Sequence, residues 1–302
     1  MANAKEKKDA YQMVTDKFIK ALESGVIPWQ KPWGGVIDGA YNLVSKKPYS
    51  FLNQLMLGHN GAYATYKQWK EKGGQVRKGE KGEFVVFWKF LNVKEKDEDG
   101  EEHIKKIPML RYYNVFHISQ VDGVDDLKEK LEDKAKINKD FDSIKEADRV
   151  FKEYIEREGI KYEEEASDRA YYSPSKDLIH LPERTQFKFV EEFYSTLFHE
   201  TTHSTMKESR CNRESAKMLA MFGSETYSKE ELVAEMGSGM ALNKLGIDTE
   251  KSFNNSTAYI QSWLEVLRND KKFVVSAAGK AEKAVKYIFN EMETENNSQS
   301  ES

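Results

Sequence analysis

The chain has 302 residues, 47 Lys+Arg against 51 Asp+Glu, and a formal net charge of −4, a length that suits two domains each burying its own core. Its one cysteine, Cys211, excludes an internal disulfide framework and a cysteine-built metal cluster. No apolar run approaches the roughly 18 residues that span a bilayer and the lysine-rich start has no secretory apolar core behind it, so a cytoplasmic protein with no membrane partner is expected.

Charge divides the chain. Residues 1–122 carry 20 basic and 15 acidic side chains, whereas residues 123–302 carry 27 and 36. A basic first part on an acidic remainder points to one polyanion-binding domain attached to something else.

The first helix is predicted from about residue 5 to Ser24, with Ala10, Val14, Phe18, Ala21 and Leu22 as its apolar stripe and Gly25 at its end. Ile27-Pro-Trp-Gln-Lys-Pro-Trp33 follows, and its two prolines forbid a helix. Short helices are expected at Ser50–Leu57 and Thr65–Lys72, the second closed by Gly73-Gly74. The basic glycine loop Val76–Gly82 leads into the β-prone run Phe84–Phe90; the acidic stretch Lys94–Glu102 reads as a hairpin tip and Pro108–Ile118 as the returning strand. This first domain, residues 1–122, is thus a mixed α/β unit with a small antiparallel sheet.

Four of the five tryptophans, Trp29, Trp33, Trp69 and Trp88, fall in this part among lysines. Aromatic platforms in a basic groove hold single-stranded nucleic acid, because every base has a face to stack on. On composition alone the core is the better place for most of these rings, with one or two expected to be exposed. With Lys46, Lys47, Lys72, Arg77, Lys78 and Lys81 they are the candidate DNA contacts.

Residues 123–141 are charge-rich and weakly patterned, which suits an interdomain linker. The second domain, residues 142–290, opens with a helix from about Ser143 to Glu158, followed by strands at Ile160–Glu165, Ala170–Tyr172 and Leu178–Pro182. Pro182 confines the last strand to an edge or makes that residue its end, and an edge there could accept an extended peptide by strand addition. Two further amphipathic helices are expected at Ala258–Leu267 and Phe273–Phe289, and the polar tail 291–302 is expected to be disordered. The overall class is α+β.

Chemistry concentrates in Leu197-Phe-His-Glu-Thr-Thr-His203, inside an amphipathic helix marked by Phe189, Val190, Phe193 and Leu197. His199 and His203 are four apart and lie one turn above each other. Both imidazoles can therefore reach one metal ion, with Glu200 beside them as a general base. Downstream, Ser228–Glu235 offers Glu231 and Glu235 on one face of a second helix. A catalytic zinc takes three protein ligands and keeps one position open. Glu231 fits the third ligand, with Glu235 accepting the other N–H of a ligand histidine; Glu235 as ligand is the alternative, and Glu230 a further candidate. Tyr171, Tyr172 and His180 are candidates for steadying an oxyanion or lying beside a substrate strand. The expected ion is Zn2+, and another divalent ion such as Mn2+ is compatible.

These pieces, in order, resemble the ArdC-type antirestriction proteins of plasmids and mobile elements, whose N-terminal domain is shared with the TraC-type primases of conjugative plasmids. In the first part the resemblance rests on Trp29–Trp33, Asn42-Leu-Val-Ser, Pro48–Asn53, Thr65–Trp69, Val76–Gly82, Val85–Trp88, Asn114-Val-Phe116 and Gln120. In the second it rests on Tyr194, Leu197–His203, Ser209-Arg210, Phe222-Gly223, Tyr227, Glu230–Glu235, Tyr259-Ile, Trp263-Leu and Leu267. It implies a single-stranded-DNA-binding domain joined to a zincin-like metallopeptidase domain, the whole protecting transferred DNA from host restriction. A host restriction-system protein or another peptide would be the substrate; the alternative is a DNA-coating protein whose metal domain is structural or silent. His117, Ser204, Met206-Lys207 and Cys211 depart from the family pattern, and none of them removes a ligand or Glu200.

Overall fold

The computed structural model describes residues 9–30, 39–96, 102–127, 142–213, 225–248 and 257–292. Residues 97–101 of the expected hairpin tip, most of the linker, most of the tail and Trp33 lie outside these residues. The chain forms two compact units, Met1–Phe18 with Asp38–Ile137, and Ile19–Ile37 with Asn138–Ser302. The second unit includes Ile19–Ile37, which the expected first domain 1–122 had taken in, and Trp29 of that segment packs against Trp263.

In the first unit, the opening half of α1 (Ala10–Glu23) buries Val14 and Phe18. There follow β1 (Ala40–Asn42), α2 (Phe51–Met56), β2 (Gly61–Ala64), α3 (Tyr66–Glu71), β3 (Gln75–Val76), β4 (Glu83–Lys96), β5 (Glu102–His117) and β6 (Val121–Asp122). The main sheet has the order β1-β2-β5-β4, with β1 and β2 parallel and the other pairs antiparallel, while β3 and β6 pair separately. A capping box starts α3: the Thr65 hydroxyl accepts from the Gln68 N–H, and the Gln68 side chain accepts from the Thr65 N–H. That helix drives Trp69 into the core, where its Nε1 donates to the Phe116 carbonyl at 2.9 Å. Edge strand β4 is covered at Val86, whose N–H and carbonyl are both taken by the buried side chain of Asn53 at 2.8 Å. One amide thus stands in for a neighbouring strand.

The second unit is built from α4 (Ser143–Glu158), β7 (Lys161–Glu165), β8 (Tyr171–Ser173), β9 (Leu178–Pro182), α5 (Val190–Ser204), α6 (Glu225–Leu245), α7 (Thr257–Asn269) and α8 (Phe273–Ile288). Asp142 caps α4 by accepting from the Lys145 N–H, and Gly159, at φ 66°, ends it in the left-handed conformation. The sheet order is β7-β9-β8, so β9 is the central strand, parallel to β7 and antiparallel to β8. This corrects the edge-strand reading. Pro182 forms the last pair of the ladder, with Glu165, so its missing N–H falls at the strand's end. The exposed antiparallel edge is β8. Phe151, Tyr154, Ile179, Leu181, Phe193, Leu197, Leu242 and Val285 make a core between helices and sheet. Trp29 joins this unit through an edge-to-face contact with Trp263, centroids 5.1 Å apart. A Cβ at Gly239 of α6 would lie 2.2 Å from the Trp29 carbonyl oxygen, so only glycine allows this approach.

Arg210, its side chain 1% exposed, anchors the turn after α5 by donating to Asp177 (2.8–2.9 Å), Glu158 (3.2 Å) and the Ser204 carbonyl (2.9 Å). Burial pushes the Asp177 carboxyl up, but hydrogen bonds from Arg210, Lys207 and Tyr172 outweigh it and hold the group at about 2, below the usual 3.8. A carboxyl depressed in the folded state stabilises fully above its unfolded value and is lost as pH falls through its folded value. Between about pH 4 and pH 2 the second unit should therefore lose about 2 kcal/mol from this group. Asp177→Asn should flatten that part of an acid-unfolding curve; an unchanged curve would place the dependence elsewhere.

Candidate metal centre

The helix carrying the two histidines is dense in hydroxyls that would compete with its backbone if left unpaired. Each is turned back into the helix: Thr201 and Thr202 donate to the carbonyls of Leu197 and Phe198 at 2.6 and 2.7 Å, and Ser204 and Thr205 donate to those of Thr201 and Thr202 at 2.7 Å. These four hydroxyls can therefore be buried without being orphaned.

The helix brings His199 Nε2 and His203 Nε2 to 3.1 Å of each other. Across from them, Glu231 of α6 places Oε2 at 3.4 Å from His199 Nε2 and Oε1 at 3.3 Å from His203 Nε2. A tetrahedral ion with bonds of about 2.0–2.1 Å sets its ligand atoms about 3.3–3.4 Å apart. The two imidazole nitrogens stand close to one such edge apart, Glu231 turns one oxygen to each of them, and one ligand atom from each of His199, His203 and Glu231 lies within 4.8 Å of the others, the one such set among the described residues. Glu200 is buried beside them.

Both imidazoles are backed by a second carboxylate. His199 Nδ1 faces Glu235 Oε1 at 3.6 Å, and His203 Nδ1 faces Glu230 Oε1 at 3.5 Å. Glu230 is held by Arg213, whose Nε and Nη2 donate to its carboxylate at 2.5–3.1 Å, while Nη1 and Nη2 donate to Thr205 Oγ1 and the Thr202 carbonyl at 2.6 and 2.9 Å. Arg213 thereby joins the end of α5 to the ligand-bearing turn of α6. The sequence reading missed it, since an arginine in a polar loop carries no local signal.

The donor set is chemically suited to a dication. Glu200, Glu230, Glu231 and Glu235 converge on one arginine and two imidazoles, so with neutral rings the cluster has an excess of negative charge in a buried place. The same carboxylates favour the charged form of the rings. Burial opposes the charged form of His203, but Glu230 and Glu231 outweigh it and push the ring up to about 10; His199 is raised by the same opposition of burial and Glu231. Burial would raise Glu231 and Glu230, yet the histidine partners hold Glu231 well below the carboxylate range, and His203 with Arg213 hold Glu230 at about 2.

The other expected site residues are placed as follows. His180 is buried in β9, its Nδ1 3.0 Å from the Arg169 carbonyl and its Nε2 3.3 Å from Glu165 Oε1. Tyr172 donates its hydroxyl to Asp177 at 2.8 Å. Both hold the sheet together. Tyr171 stacks on His180, centroids 4.8 Å apart, and is partly exposed on the edge strand. In the first unit Lys46, Lys47, Lys72, Lys78 and Lys81 are exposed. Arg77 is spent internally on Glu80 (2.7 Å), the Ser119 carbonyl (2.6 Å) and Asp122 (3.4 Å). Trp29 and Trp69 are fully buried and offer no ring face, which corrects their place among the stacking candidates; Trp88 is exposed on β4.

Residues 148–280 match the model of a zincin-like metallopeptidase family, and residues 8–116 match that of the N-terminal domain of anti-restriction factor ArdC. A DNA primase TraC of Escherichia coli is 35% identical over 307 residues; the alignment covers 95% of this chain, which spans only 20% of the primase's length. The fold is similar to that of the antirestriction protein ArdC of plasmid R388. Its metal-free crystal structure gives a TM-score of 0.70 at 35% identity, and its Mn(II)-bound structure 0.72 at 33%, each covering 94% of this chain and 98% of the other.

Proposed function

From the premise that this chain belongs to the ArdC family of antirestriction proteins, we propose that it binds single-stranded DNA through its first unit and acts on a peptide through a zinc-dependent second unit, protecting transferred DNA from host restriction. The observation that carries the peptidase half is the convergence of His199, His203 and Glu231 at 3.1–3.4 Å with Glu200 buried alongside. His199, His203 and Glu231 would hold the ion, and Glu235 and Glu230 would fix the imidazoles from behind. A divalent ion supplies Lewis acidity at a peptide carbonyl and acidifies water there. Glu200, as general base, would take a proton from the attacking water on its carboxylate and return it to the leaving amine. The edge strand β8 is the place where an extended peptide would add by main-chain hydrogen bonding, with Tyr171 beside it. The Mn(II)-bound relative supports a divalent ion here, with zinc as our choice for this donor set. Among the described residues no helix is long and apolar enough to cross a membrane.

The test compares the full chain with Glu200→Ala in a protection assay in which single-stranded or transferred DNA meets a restriction nuclease. Metal content and single-strand affinity are measured on both proteins. We expect ion and DNA binding to persist while protection collapses, in line with the loss of about 10²–10⁴-fold that removing a general base brings. Undiminished protection would sink the peptidase half and leave a DNA-coating protein with a silent metal domain.

A further inference from the structure

Of the tryptophans first considered for stacking, the described ones other than Trp88 are core, and the arginine of the glycine loop is internally paired. Accessible aromatic surface lies instead on the ribbon formed by β4 and β5. Residues directly opposite in an antiparallel pair share a face, and the face alternates along each strand. Pairing of Val86 with Tyr112, Trp88 with Leu110, Phe90 with Pro108 and Lys94 with Ile104 therefore puts Trp88, Phe90, Tyr112 and Lys94 on one face, joined by Lys106 opposite Asn92. Trp88 is 49% exposed, Phe90 59% and Tyr112 38%. Tyr11 meets Trp88 edge-on, centroids 6.3 Å apart at 65°, which props the indole while half its surface stays open.

We propose that a single strand of nucleic acid lies along this face of the ribbon, its bases stacking on Trp88 and Phe90 and its phosphates meeting Lys106. The inference rests on the single-strand half of the proposed function and names the surface that performs it. Trp88 and Phe90 stand two residues apart, about 6.8 Å along the strand, a separation that lets each take a different base of an extended strand. The charge of the face selects the ligand. Its described carboxylate, Glu102, is neutralised by Lys94 at 3.2 Å, and Lys106 has no carboxylate partner among the described residues. A polyanion with flat apolar faces satisfies both features at once, whereas an aliphatic protein groove would leave Lys106 unmatched.

The test is a titration of the full chain with a fluorescent oligo-dT of about 16 nucleotides at two salt concentrations, for wild type, Trp88→Phe and Trp88→Ala/Phe90→Ala. Removal of both stacking platforms predicts at least a tenfold loss in the double variant and near-wild-type affinity for Trp88→Phe, with metal content unchanged and a cooperative thermal transition retained, since about half of each side chain lies outside the fold. Wild-type affinity in the double variant would overturn the ribbon assignment and leave single-strand binding standing elsewhere. Absence of binding by the wild type would remove the underlying reading and the ribbon with it. Loss of self-association or of protein capture in the double variant, with oligo-dT binding intact, would reassign the face to a protein partner and overturn the proposal.

Discussion

Replacing Arg213 by alanine should destabilise the second unit by about 3–5 kcal/mol and lower its affinity for a divalent ion by about 10–100-fold. The Arg213 side chain is 4% exposed and that of Glu230 2% exposed. Removing the guanidinium strands a carboxylate with no water to replace the lost donors, which is the costly way to break a buried pair. The same change removes the Arg213 hydrogen bonds to the Thr202 carbonyl and Thr205 Oγ1, which tie down the turn after α5. Glu230, no longer held from the far side, ceases to orient His203. Calorimetry should show the transition of the second unit lowered by roughly 6–20 °C. Arg213→Met/Glu230→Leu separates the two effects. Replacing both charges by apolar side chains of similar volume should recover much of the stability, while metal affinity stays low because His203 has lost its acceptor. An Arg213→Ala protein with wild-type melting and wild-type metal affinity would show that the pair neither supports the fold nor the site.

How much of this was legible beforehand depends on whether a feature is local. The spacing of His199 and His203 is a property of one helical turn, so the sequence suffices to put both rings on one face. The same holds for the Thr65/Gln68 capping box and for α4, bounded by Asp142 and Gly159. Burial of Trp29 has no such signature, because its partners Gly239 and Trp263 lie more than two hundred residues away in sequence. Arg213 was invisible for a similar reason: its value lies in Glu230 and Thr202, which the fold and not the spacing brings together. The rank of β9 in its sheet failed differently. Proline states only that a strand's donor is missing, and a missing donor is tolerated at the end of a central strand as readily as along an edge. Hydrophobic periodicity could not settle which strand was outermost, since Leu178, Ile179 and Leu181 are buried whichever neighbour pairs with β9.

The largest effect from the smallest change should come at Gly237, where the two ligand-bearing helices touch. A Cβ there would lie 2.6 Å from Thr202 Cγ2 and 2.7 Å from its Oγ1. Thr202 is fully buried, and its hydroxyl is already committed to the Phe198 carbonyl at 2.7 Å. The side chain has nowhere to turn, so Gly237→Ala must push α6 away from α5. Alanine gains about 1 kcal/mol over glycine in a helix interior, but overpacking of this kind costs about 1–3 kcal/mol, so the net effect on stability is small or negative. The effect on the site is larger. Glu231 and Glu235 ride on the displaced helix, two turns and less from Gly237, and a set of ligand spacings of 3.1–3.4 Å does not survive a shift of an ångström. We expect metal affinity to fall at least tenfold, read by titration with Zn2+ or Mn2+ against a chelator. Gly279→Ala in α8, where nothing lies within 4 Å of the new Cβ, should instead be neutral or stabilising and leave the affinity alone. Thr202→Ala in the Gly237→Ala background removes both clashing atoms and leaves only Thr202 Cβ at 3.2 Å, so it should restore most of the lost affinity. That recovery is a coupling between two residues that never touch the ion. If the double variant binds no better than Gly237→Ala alone, the interhelical distance is not what sets the geometry of the ligands.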